Sequence, residues 1–436
     1  MRPHLPRFSR NALALGAAAT LSVGVLAACS SSGSSSGTSS TTSPTSGTST
    51  AANTTPITIG ASLSLTGDFS SDGINYEHGY DLWVNDVNKA GGIDGRQVKL
   101  TILNDNSSPT QVATNYRTLI SVDHVDLTFG PFSSLLTTPA DSVVAHYGYA
   151  FVEGAGGAPS VFQSPANEAD HNIFDVSLPI KDEMVPFVNY IASLPASQRP
   201  KTAAYPMADD PFADPPVQLA QQMLSALGVK TVYSKIFPEE AADYKAPADQ
   251  VAASGAQIVV LGSTDVPTVS AFMQAFEQQH YNPKLFIAAA GPDQGASFTS
   301  VVGKANATGV MVPDGWYPGF DNAASKALVN EYVAKYGGTA SSMSSDVAEA
   351  YSVGQVMEQA VKATSGTDNA KIIAYLHDAS TTLTSVQGPV KFDSLGENGE
   401  SDAFVFQWQN GVFDQVLPAS APGSVSIIGT KPNWAS

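Results

Sequence analysis

The chain has 436 residues, of which 43% are hydrophobic and 14% are charged, so it can bury a large core in two or three domains. Its formal net charge of −18 repels nucleic acid and anionic lipid headgroups, which argues against a nucleic-acid-binding protein. The single cysteine, Cys29, excludes an internal disulfide and a zinc site built on cysteines.

Residues 1–28 have the pattern of an export signal. The segment begins with basic residues at Arg2, Arg7 and Arg10. An uncharged run of small and apolar residues follows and ends in Leu26-Ala27-Ala28-Cys29. This ending resembles the bacterial lipobox, and the resemblance implies cleavage before Cys29 and lipidation of its thiol. Two or three acyl chains would hold the mature chain stably at a membrane. An ordinary signal peptide with a chance cysteine is the alternative.

Residues 29–55 form a candidate tether that starts at the lipidated cysteine. Between Ser30 and Thr55, 19 of 26 residues are Ser or Thr and none is charged. Such a segment cannot bury apolar surface, so we predict a disordered tether with an end-to-end distance of roughly 25–30 Å. No later run is apolar for long enough to span a bilayer.

From Ile57 onward the sequence alternates between strand and helix patterns. The first set of predicted strands is Ile57–Leu63, Val98–Leu103, Val125–Phe129 and Tyr149–Val152. The predicted helices between them are Tyr76–Ala90, Pro109–Ser121 and Thr137–Tyr147. Repeated strand–helix units favour a parallel sheet with helices on both faces.

The same alternation begins again after residue 180. The predicted strands are Lys201–Tyr205, Thr231–Ile236, Gln257–Leu261, Lys284–Ala288, Val390–Phe392 and Ala403–Trp408. The predicted helices are Met184–Ser193, Val217–Leu227, Tyr244–Ser254, Val266–Gln279, Lys326–Tyr336, Val347–Thr364 and Asn369–His377. We therefore predict an α/β protein with two doubly wound, Rossmann-like lobes whose strand ends meet at a shared cleft.

Motifs of catalysis are missing from the sequence. There is no Gly-x-Ser-x-Gly elbow, no Walker loop and no His-Glu-x-x-His pair. Gly154, Gly156 and Gly157 follow a strand without the dinucleotide fingerprint, so they indicate either close backbone approach to a ligand or an ordinary turn. The histidines are scattered, and the acidic run at residues 209–214 is interrupted by prolines, which favours a solvated loop over a metal site. We expect no enzymatic activity, no cofactor and no metal.

Several ordered segments of the body carry a family resemblance. They are Ile59–Gly67, Asn85–Gly95, Asn104-Asp105, Gly130–Ser134 with Thr137–Pro139, Gly388–Asp393 and Phe406–Trp408. Together they resemble the type I periplasmic binding proteins of the leucine/isoleucine/valine-binding family from Ile57 to about Gly411. The resemblance implies two lobes joined by three hinge crossovers, with lobe 1 at residues 57–175 and 313–388. It places lobe 2 at residues 178–312 and 389–420, followed by a tail at 421–436.

The resemblance also assigns candidate ligand-binding residues. In the family, a serine hydroxyl and a loop after the next strand hold the carboxylate of an amino acid. Ser134 matches that serine, with Phe132 in the same loop, and Ala155 and Gly157 lie in the second loop. Gly157 stands where the family usually has a threonine, so a backbone N–H remains but the hydroxyl is lost.

Other pocket positions depart from the family pattern. Asp72 and Asp346 stand at or near positions that are often aromatic, Phe212 replaces a tyrosine, and Thr264 and Asp265 occupy a segment where a tyrosine is usual. Asp293 corresponds to the acidic residue that pairs with the ammonium group of the ligand. More carboxylates and fewer rings suit a polar or cationic ligand better than leucine.

These patterns predict a lipid-anchored, extracytoplasmic substrate-binding protein of an ABC importer. It would capture an amino acid or a related small polar solute between its lobes and deliver it to a permease and an ATPase on separate chains. We expect a monomer. A ligand-sensing receptor of the same fold and a secreted enzyme are the alternatives of other classes. Small amides, urea-like molecules, basic amino acids and aromatic acids remain alternative ligands.

Overall fold

The computed structural model describes residues 54–238 and 244–435. The predicted signal peptide, Cys29 and nearly all of the predicted tether therefore lie outside the described residues. Within the described ranges, no helix is both long and apolar enough to cross a membrane.

The first part of the chain builds a five-stranded parallel sheet in the order β2-β1-β3-β4-β5. Its strands are β1 (Ile57–Leu63), β2 (Val98–Asn104), β3 (Leu127–Phe129), β4 (Phe151–Glu153) and β5 (Ile173–Asp175). The helices of this part are α1 (Ser70–Lys89), α2 (Pro109–Ser121), α3 (Ser134–His146), α4 (Pro159–Phe162) and α5 (Pro165–Asp170). The strands β3, β4 and β5 are buried at every residue, as expected for a sheet covered on both faces.

The second part of the chain supplies five strands of a separate seven-stranded sheet. These strands are β6 (Thr202–Ala208), β7 (Lys230–Phe237), β8 (Ile258–Leu261), β9 (Leu285–Ala288) and β10 (Val310–Asp314). The accompanying helices are α6 (Ile180–Glu183), α7 (Val185–Ser193), α8 (Asp214–Ala226), α9 (Lys245–Ser254), α10 (Val266–Gln278), α11 (Gly295–Val302) and α12 (Lys304–Ala307).

The third part of the chain first returns to the five-stranded sheet and then completes the seven-stranded one. Its elements are α13 (Ala323–Tyr336), a 3₁₀ turn (Ala340–Ser342), α14 (Ser345–Thr364), α15 (Asn369–Leu376), β11 (Leu383–Ser385), β12 (Gly388–Val390), β13 (Phe404–Gln409) and β14 (Val412–Leu417). Helix α14 packs along α1. A Cβ atom at Gly354 would lie 2.2 Å from the Trp83 ring, so a glycine is required where the two helices approach.

Three connections link the two lobes that these sheets define. The first follows β5, the second follows β10, and the third precedes β13. The third connection also contacts the first, because Asp175 donates its backbone N–H to the carbonyl of Gly396 at 2.9 Å. This arrangement confirms the predicted fold class of two doubly wound lobes with three crossovers. The predicted residue boundaries of the lobes stay predictions.

Some predicted elements differ from the structure for local reasons. The predicted strand Val390–Phe392 has the wrong bounds, since the hairpin strand β12 ends at Val390. Helix α1 begins at Ser70, six residues before the predicted start at Tyr76. Gly73 lies in its first turn against the backbone of Ser64, where a Cβ atom would clash at 2.1 Å. Strands β5, β10, β11 and β14 were not predicted.

Candidate ligand-binding site

A cavity lies between the two lobes at the carboxyl ends of several parallel strands. It holds about 710 Å³ of empty space, part of it open to solvent. Its first-lobe wall is formed by Phe132, Ser133, Gly154, Ala155, Gly157, Asp175, Asp346 and Glu349. The remainder of the wall is formed by Ser177, Leu178, Ile180, Glu183, Phe212, Thr264, Ala289, Ala290, Asp293, Gln294, Pro313 and Asp314. This position is the usual one for a ligand in doubly wound folds.

The structure brings most of the sequence-predicted site residues together. The predicted residues that line the cavity are Phe132, Ala155, Gly157, Phe212, Thr264, Asp293 and Asp346. Three others, Ser134, Asp72 and Asp265, do not line it. Asp265 caps the N-terminus of α10, where its Oδ1 accepts a hydrogen bond from the Thr268 N–H at 2.8 Å. Whether the lining residues contact a ligand stays a prediction.

The two adjacent serines at the start of α3 have different surroundings. Ser134 accepts a hydrogen bond at its Oγ from the Ala158 N–H at 3.1 Å, within the first lobe. Ser133 instead lines the cavity, with its Oγ buried and without a hydrogen-bond partner among the described residues. The backbone of Ser133 has a φ of 73°, which is uncommon for a residue other than glycine. The geometry therefore presents Ser133, not Ser134, to the cavity.

The loop after β4 is held by the side chain that precedes it. Glu153 accepts hydrogen bonds at its Oε2 from the backbone N–H of Ala155 at 2.8 Å and from that of Gly156. A Cβ atom at Gly156 would lie 2.8 Å from the Glu153 carboxyl group, so a larger residue here would displace that carboxyl group. Burial raises the pKa of Glu153 well above its ordinary value, and repulsion from Asp175 raises it further.

Gln294 joins the two lobes on one side of the cavity. Its Nε2 donates to Asp346 Oδ2 at 2.8 Å, and its Oε1 accepts from Asn75 Nδ2 at 3.0 Å. Asp346 and Asn75 belong to α14 and α1 of the first lobe, whereas Gln294 directly precedes α11 of the second lobe. Ser345 of α14 also donates to Asp293 Oδ2 at 3.4 Å. These hydrogen bonds hold the lobes together across the cleft.

Two helical carboxylates face the cavity from α14. Asp346 and Glu349 are three residues apart, which places them on the same face of the helix. Glu349 accepts a hydrogen bond from the Tyr76 hydroxyl at 2.6 Å. Burial raises the pKa of Asp346 well above its ordinary value, with repulsion from Asp293 as the next cause. Burial likewise raises the pKa of Glu349, and the charge of Asp346 adds to this shift.

The remaining carboxylates lie beside the crossovers. Burial raises the pKa of Asp175 to about 7, although its carboxylate accepts the Ser177 N–H. Burial also raises the pKa of Asp314 to about 7, and Asp293 adds repulsion. For Glu183, burial is again the main cause of a strongly raised pKa, followed by repulsion from Asp314. No lysine or arginine lines the cavity, and no ion pair among the described residues involves one of these carboxylates.

Aromatic packing fixes one wall of the site. The Phe132 ring packs edge-on against Phe69 and Tyr76, with centroids 5.7 Å apart in both pairs. Asp72, in the first turn of α1, is buried and does not line the cavity. Burial raises its pKa well above the ordinary value, and Asp346 contributes repulsion, so Asp72 belongs to the same charge cluster without lining the cavity.

Sequence reasoning missed several of the residues that line the cavity. These are Ser133, Asp175, Glu183, Gln294, Asp314 and Glu349. One signal was available, because Asp175 and Asp314 are the last residues of β5 and β10, at the strand ends where ligands bind. The three-residue length of β5 and Pro313 inside β10 hid both strands from the pattern.

The other chemistry-bearing candidates lie away from the cavity. Asp209, Asp210 and Asp214 border a separate surface pocket beside α8. His78 stacks on the Tyr336 ring with centroids 3.7 Å apart, and the His377 ring nitrogen lies 2.6 Å from the His171 carbonyl oxygen. The described part of the chain contains no group of three or more potential metal ligands.

The sequence profile of the periplasmic binding protein family matches residues 56–412. This match covers most of the chain, so the chain belongs to the periplasmic binding protein family. The family predicted from the sequence motifs is thereby confirmed.

Two curated relatives are similar over most of their length. An amino acid binding protein of Pseudomonas aeruginosa is 24% identical over 354 residues, covering 81% of this chain and 90% of the relative. The Leu/Ile/Val-binding protein homolog 7 of Brucella suis is 24% identical over 386 residues, covering 85% and 94%.

Two solved structures share the fold. A branched-chain amino acid transporter substrate binding protein from Streptococcus pneumoniae, in complex with isoleucine, has a TM-score of 0.70 at 18% identity and covers 83% of this chain and 99% of its own. An ABC transporter solute binding protein from R. palustris, in complex with benzoate, has a TM-score of 0.71 at 16% identity and covers 86% and 100%. At these identities the likeness shows the two-lobed α/β fold.

Proposed function

We propose that the protein is the extracytoplasmic substrate-binding component of an ABC importer that captures a small polar solute related to amino acids. The observation that carries this proposal is the cavity between the lobes, whose polar wall is built from both of them. The names of the curated relatives support an amino acid or similar solute. The benzoate complex of a fold neighbour supports aromatic acids as alternative ligands.

Capture in this arrangement requires a conformational change but no covalent chemistry. A ligand that contacts both walls at once favours the closed arrangement over an open one, because closure adds its contacts with the second wall. Asp346 and Gln294 already meet across the cleft, so they are the first groups that would separate on opening. The three connections near Asp175, Asp314 and Asp402 are the segments that would bend.

Delivery requires partners on other chains and a position near the membrane. We propose that a permease and an ATPase receive the closed, ligand-bound protein. We further propose that Cys29 is lipidated and that residues 29–55 act as the tether, on the strength of Leu26-Ala27-Ala28-Cys29. Radiolabelled palmitate should enter the wild-type chain and a Ser30→Ala control in a bacterial host. Label that enters a Cys29→Ser variant equally well would refute the anchor.

Ligand capture is tested on the full chain carrying Cys29→Ser, unfolded and refolded to remove any bound molecule. Thermal unfolding is recorded against amino acids, small amides, amines and aromatic acids. Binding to the folded state raises the melting temperature by an amount that grows with ligand concentration. A hit in any of these classes supports the binding function. No shift across the whole panel, with a folded chain, would contradict it.

A further inference from the structure

The wall of the interlobe cavity carries acidic groups from both lobes. Asp175, Asp346 and Glu349 come from the elements around the five-stranded sheet, and Glu183, Asp293 and Asp314 come from those of the seven-stranded sheet. No lysine or arginine stands among the described lining residues. A cluster of like charges in a partly enclosed space is unfavourable unless protons or a cation neutralise it.

Two buried polar atoms in the wall have no hydrogen-bond partner among the described residues. They are Oε2 of Glu183, a residue 6% exposed, and Oγ of Ser133, a residue 3% exposed. Both residues line the cavity. A buried carboxylate oxygen without a hydrogen-bond partner lowers the stability of the folded chain, and an ionised carboxylate can only accept hydrogen bonds. Glu183 Oε2 therefore lacks a hydrogen-bond donor, and an ammonium group supplies three.

Part of what could bind a ligand carboxylate in the same wall is already engaged. Glu153 accepts from the backbone N–H groups of Ala155 and Gly156 in the loop after β4. Ser134 does not line the cavity, and its hydroxyl oxygen accepts the Ala158 N–H at 3.1 Å. The chain has thus placed a carboxylate of its own on two of the donors in this loop.

Apolar side chains lie between the acidic groups. Phe132, Phe212, Leu178 and Ile180 all line the cavity. Such side chains provide contact for a methylene chain, and aromatic rings also attract a neighbouring ammonium group. The combination of acidic groups with an apolar lining matches a solute whose charges are separated by methylene groups.

Given the solute-binding role proposed above, we propose that the cleft takes a linear diamine or polyamine, a solute with at least two protonated amino groups and no carboxylate. Two ammonium groups can pair with acidic groups of both lobes at once, which favours the closed arrangement. A solute with one ammonium group leaves more of the wall charge uncompensated. A solute with a carboxylate places a further negative charge among the same groups.

Binding of such a cation competes with protons for the acidic groups. Six carboxyl groups line the cavity, namely Asp175 of β5, Glu183 of α6, Asp293 before α11, Asp314 of β10, and Asp346 and Glu349 of α14. Three further titratable groups interact electrostatically with members of this set, namely Asp72 and Tyr76 of α1 and Glu153 of β4. Both amino groups of a diamine stay protonated at neutral pH, as the amino group of a lysine side chain does. Affinity therefore increases with pH by up to about tenfold per unit for each proton released.

The test uses the refolded full chain carrying Cys29→Ser in isothermal titration calorimetry. The probes are 1,4-diaminobutane, spermidine, 1-aminobutane, lysine, leucine and benzoate. We expect 1,4-diaminobutane or spermidine to bind at least about tenfold more tightly than 1-aminobutane and lysine, since each lost ion pair in a desolvated site has about this effect. Their affinity should be higher at about pH 8 than at about pH 6.

A charge-neutral variant separates pairing with the ligand from a general effect of net charge. Glu183→Gln keeps the size of the side chain and removes one cavity charge, whereas Glu168→Gln makes the same change at an exposed position of α5. We expect Glu183→Gln to weaken diamine binding by about tenfold or more and Glu168→Gln to leave it unchanged. Circular dichroism confirms that both variants are folded.

The outcomes distinguish this inference from the broader function. Failure of both amines to bind overturns the inference. So does lysine binding as tightly as the diamine, because the cleft would then accept a carboxylate. Leucine or benzoate binding without diamine binding overturns the inference and leaves the solute-binding function intact. If none of the probes binds, the result contradicts both this inference and the proposed solute-binding function.

Discussion

Acidic residues of the outer surface and acidic residues of the interlobe cavity differ in what compensates their charge. On the surface, Asp249 accepts a hydrogen bond from Lys245 at 2.6 Å, which lowers the pKa of its carboxyl group. In the cavity, burial raises the pKa of Asp314 and Asp346, and the described residues that line it include no lysine or arginine. The acidic residues behind the net charge of −18 therefore form two groups. Those on the surface are solvated or paired with a basic side chain, whereas those in the cavity have no basic partner among the described lining residues.

The pH dependence of stability is the broadest test of this contrast. A buried acid with a raised pKa holds its proton in the folded chain when the unfolded chain has lost it, so folding is destabilised as pH rises through that window. For Asp175 and Asp314 the window runs from their ordinary value of 3.8 to about 7. Each such group lowers the free energy of unfolding by about 1.4 kcal/mol per pH unit within it.

We therefore expect the ligand-free chain to melt roughly 5 °C or more lower at about pH 8 than at about pH 5. Scanning calorimetry over this range measures the difference. Asp314→Asn should flatten the profile, while Asp123→Asn, at an exposed position of the first lobe, should not. A melting temperature that rises with pH would show that the cavity acids are compensated after all.

Neutralising one cavity acid should separate binding from stability. Asp346→Asn keeps an oxygen that can accept the Gln294 hydrogen bond but removes the charge. Loss of a charge-assisted hydrogen bond to the ligand should weaken binding of 1,4-diaminobutane about 10- to 100-fold. Relief of repulsion from Asp293 should at the same time raise the melting temperature of the ligand-free chain above pH 7.

The two effects of Asp346→Asn have opposite signs, so a general folding defect cannot mimic them. Calorimetric titration and thermal unfolding are performed on the same preparation, with Asp123→Asn as the surface control. Equal affinities for the variant and the parent chain would remove Asp346 from the ligand site.

The loop after β4 offers a steric test of the site. Gly156→Ala places a Cβ atom 2.8 Å from the Glu153 carboxyl group and should displace one of the two. The expected cost is about 1–3 kcal/mol in the free energy of unfolding, measured by urea titration. Gly399→Ala is the matched control, because its nearest neighbour to a new Cβ atom is the Lys391 carbonyl oxygen at 3.8 Å. Equal losses in both variants would contradict the tight packing of this loop.

The hydrogen bonds across the cleft provide the smallest expected effect. Gln294→Ala removes the contacts with Asp346 and Asn75, which stabilise the closed arrangement by about 1 kcal/mol each. We expect about fivefold weaker ligand binding and a larger radius of gyration in small-angle scattering of the ligand-free chain. Gln163→Ala, at an exposed position of the first lobe, should change neither. An unchanged radius in Gln294→Ala would mean that other contacts close the cleft.

Sequence patterns predicted the long elements better than the short ones. The bounds of β1 and α2 agree with the prediction, since both have strong periodicity and α2 has Pro109 at its first position. Strand β10 was missed because Pro313 is unusual inside a sheet, yet this strand pairs with β9 on one side and with β13 on the other. The acidic strand end at Asp314 was missed with it.

The candidate site shows the same division between local and distant information. The family resemblance indicated Asp293 and Asp346 because it placed them at or near pocket positions of the family. It did not indicate Glu183 or Glu349, which belong to no motif and reach the cavity only through the packing of α6 and α14. It also indicated Ser134. In the structure, however, Ser133, which has a positive φ just before α3, lines the cavity and Ser134 does not.

The sequence by itself determined the alternation of strands and helices, the family and the excess of acidic residues, because these depend on local pattern and composition. Only the tertiary structure decided which acids lose their solvent and face one another. Asp175 and Asp346 are distant in the chain, and they reach one cavity because three connections fold it into two facing lobes. Burial, which depends on that folding, is what converts solvated carboxylates into a wall whose charge protons or a cation must neutralise.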